Sequence, residues 1–273
     1  MQEYQKIETL YKFDNATKKY KNEFYNDIVS YLSPLPWIAS EKYDGTNIRV
    51  HYDGHRVEWS GRTDNSELPK EVSELLQNTF GDSEVTFEQM FGEKDVILFM
   101  ECYGGKIQGG IYGGSERLIG FDVMVNGTYL HKYSIKPIFD AFCVNSVEFF
   151  EVKNLIEAIS YVKEGRLASD VQCDRKTRME GFVCVPLFRL YDHQGKRIAV
   201  KIKIRDLEKL EKIEDHRVVA KSSLSMGNVE SFIRSQGFEF KVATLNEATK
   251  RFVYEYWNAD TNESIITERP AYH

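Results

Sequence analysis

The chain has 273 residues, 42% of them hydrophobic and 29% charged, and a formal net charge of −6. This composition suits a soluble globular protein with a sizeable core and excludes wholesale disorder. An acidic chain is not a non-specific nucleic-acid coat, so any nucleic-acid contact must come from a local cleft.

The longest apolar run, Phe182 to Phe188, is far short of the roughly 20 residues of a membrane-spanning helix. Met1-Gln2-Glu3-Tyr4-Gln5-Lys6 carries no basic-then-apolar secretory pattern, so a cytoplasmic protein is expected. The four cysteines, Cys102, Cys143, Cys173 and Cys184, form no CxxC pair and read as buried thiols of a reducing compartment.

The first 35 residues are polar and aromatic, punctuated by Pro34 and Pro36. Asn47 to Tyr52, Asp53-Gly54 and His55 to Ser60 read as a hairpin with a two-residue turn. That register pairs Val50 with Val57, Ile48 with Trp59 and Arg49 with Glu58. Residues 66–80 read as an amphipathic helix, and Val96 to Met100 as a buried strand ended by Glu101. A glycine-rich stretch follows, then a strand over Leu118 to Val125 with a turn at Asn126-Gly127. Residues 153–164 read as a helix; Gly181 to Val185 and Ile198 to Ile204 read as strands. Asp206 to Ile213, Val229 to Ser235 and Leu245 to Trp257 read as helices, with a linker at Ser222 to Gly227. The expected fold is α+β, with antiparallel sheets flanked by helices over residues 1–221 and a short helical appendage over 222–273.

Several residues suggest chemistry. Lys42 stands in Glu41-Lys42-Tyr43-Asp44-Gly45-Thr46-Asn47; a nucleophilic lysine needs a neutral amine, which nearby cations or a metal promote. Val200-Lys201-Ile202-Lys203-Ile204 alternates, so both lysines share one face about 7 Å apart, a clamp for phosphate. Glu101 and Glu180 abut apolar strands, where carboxylate oxygens suit a hydrated divalent ion. Arg62 in Ser60-Gly61-Arg62 presents a fork suited to phosphate or a ribose hydroxyl. Phe121 in Gly120-Phe121-Asp122-Val123 offers a face for stacking on a base. Taken singly, each also reads as an ordinary surface charge, salt-bridge partner or core aromatic.

The order of these elements is more specific than any one of them. KYDG, SGR, the strand ending in Glu101, GFDV, MEGFV and VKIK resemble, in sequence order, motifs I, Ia, III, IIIa, IV and V of the covalent nucleotidyltransferases. That superfamily holds ATP-dependent ligases and mRNA guanylyltransferases, and the resemblance spans Glu41 to Lys203. It implies that Lys42 attacks the α-phosphate of ATP to form lysyl-AMP. It further implies that Lys201 and Lys203 contact that phosphate, Glu101 the ribose, Phe121 the base, and Arg62 the sugar and the nucleic-acid end. Glu41 would lie near the purine. Asn47 would join the nucleotide contacts, and Glu180, with Asp44 and Glu101, would hold Mg²⁺ or Mn²⁺.

Gly45-Thr46-Asn47 is similar to the RNA-ligase branch related to the second RNA ligase of phage T4, where DNA ligases and capping enzymes usually carry arginine in place of Asn47. The 70 residues after Lys203, read as helical, leave no OB barrel, and the 41 residues before Lys42 are too few for an N-terminal barrel and linker. The expectation is a monomeric ATP-dependent RNA ligase acting on RNA ends with no membrane partner, cytoplasmic and compatible with a virus or phage origin. The alternatives are a compact DNA ligase, a guanylyltransferase, or a nucleic-acid-binding relative without turnover.

Overall fold

Period-two alternation across short apolar segments builds two main sheets, and the helices cover their outer faces. The computed structural model describes residues 1–165 and 179–210 and the segments 239–246, 251–258 and 263–270. In chain order the first elements are β1 (Glu8–Thr9), β2 (Tyr11–Asp14), β3 (Lys19–Phe24), α1 (Asp27–Leu32), β4 (Trp37–Lys42), β5 (Thr46–Tyr52) and β6 (Val57–Ser60). There follow α2 (Lys70–Phe80), α3 (Glu84–Phe91), β7 (Val96–Tyr103), β8 (Arg117–Val125), β9 (Thr128–Tyr129), α4 (Lys136–Ala141), β10 (Asn145–Ser146), β11 (Phe149–Val152) and α5 (Leu155–Glu164). Last come β12 (Gly181–Pro186), β13 (Val200–Lys203), α6 (Ile204–Leu207), β14 (Glu239–Asn246), β15 (Arg251–Asn258) and β16 (Glu263–Pro270).

One sheet has the order β1-β13-β12-β4-β11; the other runs β10-β8-β7-β5-β6, with β9 beside β8. All of these pairings are antiparallel except β1 with β13 and β10 with β8. In the first sheet Trp37, Ala39, Phe182, Cys184, Val200 and Ile202 are buried with Leu155, Ala158, Ile159 and Val162 of α5. In the second, Ile48, Val50, Val96, Leu98 and Met100 pack with Val72, Leu76 and Phe80 of α2 and Phe87 of α3. Strict alternation therefore sends Ser40, Lys42, Lys201 and Lys203 to the opposite face of one sheet, and Asn47, Arg49 and Glu101 to the opposite face of the other.

A buried ionic cluster joins the two sheets. Asp122 on β8 accepts hydrogen bonds from both terminal nitrogens of Arg197, which lies just before β13, and from Tyr4 Oη at 2.9 Å. Lys132 Nζ lies 2.9 Å from Asp122 Oδ2 and donates to the Phe121 carbonyl at 2.9 Å. Burial opposes ionisation of Asp122, but the Arg197 and Lys132 cations hold its carboxyl below the ordinary range.

The structure corrects several expectations. Asp53-Gly54 opens a four-residue loop, because Asp53 Oδ1 accepts from the amides of His55 (2.9 Å) and Arg56 (2.8 Å). Tyr52 therefore pairs with Val57, Val50 with Trp59, His51 with Glu58 and Arg49 with Ser60. The shift is even, so every side chain keeps its face. Arg49 does not pair with Glu58. Its buried guanidinium donates to the carbonyls of Met1, Gln2 and Gly61 and to Ser60 and Asp64, which pins the N-terminal segment against the second sheet.

Glu101 lies within β7, two residues before its end, and α2 begins four residues later than expected because Pro69 is its N-cap. Cys102 and Cys184 are buried thiols, but Cys143 is exposed. The C-terminal segment is not helical where it is described: β14, β15 and β16 form an antiparallel sheet. Arg251 to Asn258 is rich in aromatic and β-branched residues, which favour a pleated strand over a helix. The expected helix over Val229 to Ser235, the linker over Ser222 to Gly227 and the end of the helix over Asp206 to Ile213 lie outside the described residues.

Candidate active site

The register of three neighbouring strands assembles a row of charge. Gly181 on β12 pairs with Lys42 on β4 on one side and with Lys203 on β13 on the other. Strand spacing puts the two lysine backbones about 10 Å apart, and Glu180, the residue before Gly181, spans the gap. Its Oε2 accepts from Lys42 Nζ at 2.6 Å, and its Oε1 pairs with Lys203 Nζ. One row further along, Ser40, Val183 and Lys201 align. Burial presses the Glu180 carboxyl toward its neutral form, but Lys42 and Lys203 outweigh this and hold its pKa below the ordinary glutamate value.

Two glycines are required by close approach. A Cβ on Gly45 would stand 2.3 Å from the Cys102 carbonyl oxygen and 2.8 Å from Glu101 Cγ. A Cβ on Gly181 would stand 1.9 Å from the Ile202 carbonyl oxygen. The turn after Lys42 thus lies directly on β7, and Gly45 N–H donates to Glu101 Oε1 at 3.2 Å.

Between the sheets lies a cavity of about 200 Å³. Its walls include Glu41, Lys42, Asn47, Arg62, Glu101, Phe121 and Lys201, so seven of the ten residues expected from sequence line one space. Lys203 and Glu180 reach it through Lys42. Asp44 is half-buried in the turn between Lys42 and Glu101, its backbone N–H donating to Tyr112 Oη at 2.9 Å. Phe121 occupies a bulge: Phe99 pairs with Asp122 and Met100 with Gly120, leaving Phe121 as the extra residue, a geometry that re-aims a side chain. Tyr4 packs edge-on against its ring at 5.1 Å.

Sequence reasoning missed one whole wall. Tyr4, Gln5, Lys6, Ile7 and Lys132 also line the cavity. The N-terminal wall is held by Arg49, by Tyr4 on Asp122, and by Gln5 Nε2 donating to the Arg197 carbonyl at 2.9 Å. No local pattern marks the N-terminal wall, since its anchors lie more than 45 residues away in sequence; Lys132 is held nearer by, on Asp122 and the Phe121 carbonyl. Burial pushes Lys132 down to about 8.

The acids near the cavity can be tested against a divalent ion. Burial raises Glu101 to about 7, and the Glu180 and Asp44 carboxylates push it further in the same direction, while Lys42 and the Gly45 amide oppose them. The Glu180 and Asp44 charges are thus felt at Glu101, and the buried Asn47 Oδ1 on the cavity wall has no hydrogen-bond partner. Among the described residues no three acidic, histidine or cysteine side chains lie close enough to hold a bare ion. These acids would therefore hold a divalent ion only through intervening water and phosphate oxygens.

A raised carboxyl has a consequence for stability. Between about pH 4.5 and 7 the unfolded chain releases the Glu101 proton before the folded one, so this group's contribution falls as pH rises and levels off above 7. Without metal, Glu101→Gln should therefore be more stable than the parent at pH 8, on the order of 2–3 kcal/mol. At pH 4 the two should match. Melting curves across that range in EDTA check this, and equal Tm values at pH 8 would contradict it.

Comparison with known proteins decides the family. The family model for RNA ligase matches residues 35–203, from just before β4 to the end of β13. The chain belongs to the RNA ligase family. Among solved structures it is similar to Naegleria gruberi RNA ligase. An apo mutant gives a TM-score of 0.51 at 17% identity, covering 75% of this chain and 60% of that one. Mutants solved with ATP and Mn and with AMP and Mn each give 0.50 at 18% identity, covering 75% and 61%. At these identities the likeness shows the shared fold. This RNA ligase family member spans about three fifths of the length of those relatives. No curated protein matches it.

Proposed function

We propose that this chain is an ATP-dependent RNA ligase that joins 3′-hydroxyl and 5′-phosphate ends. The observation that carries the reading is the row Lys42–Glu180–Lys203 opening onto the cavity lined by Glu41, Asn47, Arg62, Glu101, Phe121 and Lys201. Lys42 Nζ attacks the α-phosphorus of ATP. An N–P bond forms, the bond to pyrophosphate breaks, and the amine loses its proton. A 5′-phosphate oxygen of RNA then attacks the same phosphorus, frees Lys42 and leaves an adenylylated end. The 3′-hydroxyl finally attacks that 5′-phosphate and expels AMP.

Phosphoryl transfer of this kind is mostly positioning and charge neutralisation. Lys201 and Lys203 suit the α-phosphate oxygens. Burial, then the Lys203 and Lys42 charges, lower the pKa of Lys201, the sign of a cationic site that favours an anionic ligand. Phe121 stacks on the base, Glu41 lies against the purine, Glu101 binds the ribose and Arg62 faces the sugar and the RNA end, with Asn47 among the nucleotide contacts. Glu180, Glu101 and Asp44 would hold Mg²⁺ or Mn²⁺, which neutralises phosphate charge when bound.

Residues 1–221 act as the adenylyltransferase unit and 222–273 as an appended segment. The protein works as a cytoplasmic monomer. No helix among the described residues is long and apolar enough to cross a membrane. The C-terminal strands withdraw the helical tail as an argument against a DNA ligase, so the RNA reading rests on the family match and on Asn47.

The test is a set of matched nicked duplexes in which only the acceptor strand's terminal sugars change from ribo to deoxyribo. A 2′-hydroxyl supplies a donor and an acceptor that can be read locally, so sealing should fall sharply without it. Equal rates on all-DNA nicks would favour a compact DNA ligase. Covalent labelling by GTP in place of ATP would favour a guanylyltransferase, and no label at all a binding protein.

A further inference from the structure

The β2–β3 hairpin plays no part in the cavity, yet its composition and attachment are unusual for this chain. Tyr11 pairs with Phe24 at its base, and both rings are buried in the core of the first sheet, stacked 5.8 Å apart. Phe13 and Tyr20 pair toward the tip, their rings 5.0 Å apart. Phe13 is 44% exposed. Residues 11–24 hold four lysines and two acids in a chain of net charge −6. Lys12 pairs with Glu23 and Lys21 with Asp14. Lys18 and Lys19 at the tip are exposed, with no acid in ion-pair range among the described residues.

The hairpin is stitched to the strand that carries Lys201 and Lys203. Leu10 N–H, immediately before it, donates to the Lys201 carbonyl at 3.0 Å, and Tyr20 N–H donates to the Lys209 carbonyl at 3.2 Å. Tyr20 also forms an isolated parallel bridge with Leu210. An exposed ring flanked by unpaired cations is the combination that binds single strands: the ring stacks on a base of any sequence, and the lysines track the phosphates.

We propose that the β2–β3 hairpin is a contact surface for single-stranded RNA flanking the end to be joined, with Phe13 as the stacking platform and Lys18 and Lys19 as phosphate contacts. This rests on the RNA ligase reading and adds the element that holds the substrate outside the cavity. It also explains how an acidic protein acquires RNA, through a local basic projection placed beside the phosphate-binding strand.

The experiment measures binding of a fluorescent single-stranded RNA by anisotropy over a series of salt concentrations, beside lysyl-AMP formation without RNA. Phe13→Ala should weaken RNA binding about tenfold. The double variant Lys18→Ala/Lys19→Ala should reduce the slope of log K against log salt by about 1.4. Neither should change lysyl-AMP formation, which also reports that each variant is folded. Parent protein that forms lysyl-AMP and binds RNA, with both variants binding as tightly and with the same slope, would overturn this inference and leave the ligase reading standing. Parent protein that binds no RNA would overturn both. Self-association of the parent that Phe13→Ala abolishes, with RNA affinity unchanged, would make the hairpin a contact between copies and overturn the RNA assignment.

Discussion

Lys42→Ala is expected to abolish covalent transfer of label from α-labelled ATP to the protein while leaving the fold in place. The neighbouring lysines are otherwise engaged: Lys132 is held by Asp122 and the Phe121 carbonyl. Lys203 is committed to Glu180, and Lys201 lies one row further along the sheet. The loss in stability should be small. Lys42 is one-quarter exposed at the end of its strand, and Glu180 keeps Lys203 when Lys42 is gone, so about 1 kcal/mol or less is at stake. Lys42→Arg should fail as completely, because a guanidinium keeps its proton at any working pH and cannot present a lone pair. A donor strand that is already adenylylated bypasses the first step, and sealing of that strand should survive in part. Label on the alanine variant, resistant to denaturation, would show that another residue is the nucleophile.

Much of this site was legible because strands enforce a period of two. Lys201 and Lys203 had to share a face, and Val200 and Ile202 had to take the other, whatever packed against them. Glu41 to Asn47 and Met179 to Gly181 were legible as ordered motifs, but their physical necessity shows only in three dimensions. Gly45 and Gly181 are demanded by carbonyl oxygens on other strands, Cys102 on β7 and Ile202 on β13, not by a turn visible in the local sequence. What could not be read was everything set by long-range pairing. The bulge at Phe121 depends on how β8 meets β7. The wall from Tyr4 to Ile7 depends on Arg49, which the expected hairpin register assigned to Glu58 and which instead binds the N-terminal carbonyls. The tail was misread for a different reason. Leu245 to Trp257 spans the end of one strand and most of the next, and joining them into one window mimics a helical length.

Glu180→Ala should lower the rate of lysine adenylylation by about 10²–10³-fold, the cost of losing one preorganised charged group at a phosphoryl-transfer site. Two roles predict that loss and differ in how it is rescued. If the carboxylate only orients Lys42 and Lys203, both of which it bonds, Glu180→Gln should recover much of the rate, because an amide oxygen still accepts a hydrogen bond. If its charge also holds a divalent ion, Glu180→Gln should remain slow in ordinary Mg²⁺, and the metal concentration giving half-maximal rate should rise about tenfold or more. The second outcome is expected, since Glu101 feels the charges of both Glu180 and Asp44, an acidic field that a divalent ion would relieve. The melting curve separates both from simple damage. Removing a carboxylate shared by two partly buried lysines leaves two cations facing each other, so Glu180→Ala should also lose Tm, and high salt should restore part of that loss but none of the rate. Full adenylylation by Glu180→Ala in ordinary Mg²⁺ would reduce the row Lys42–Glu180–Lys203 to a structural ion pair.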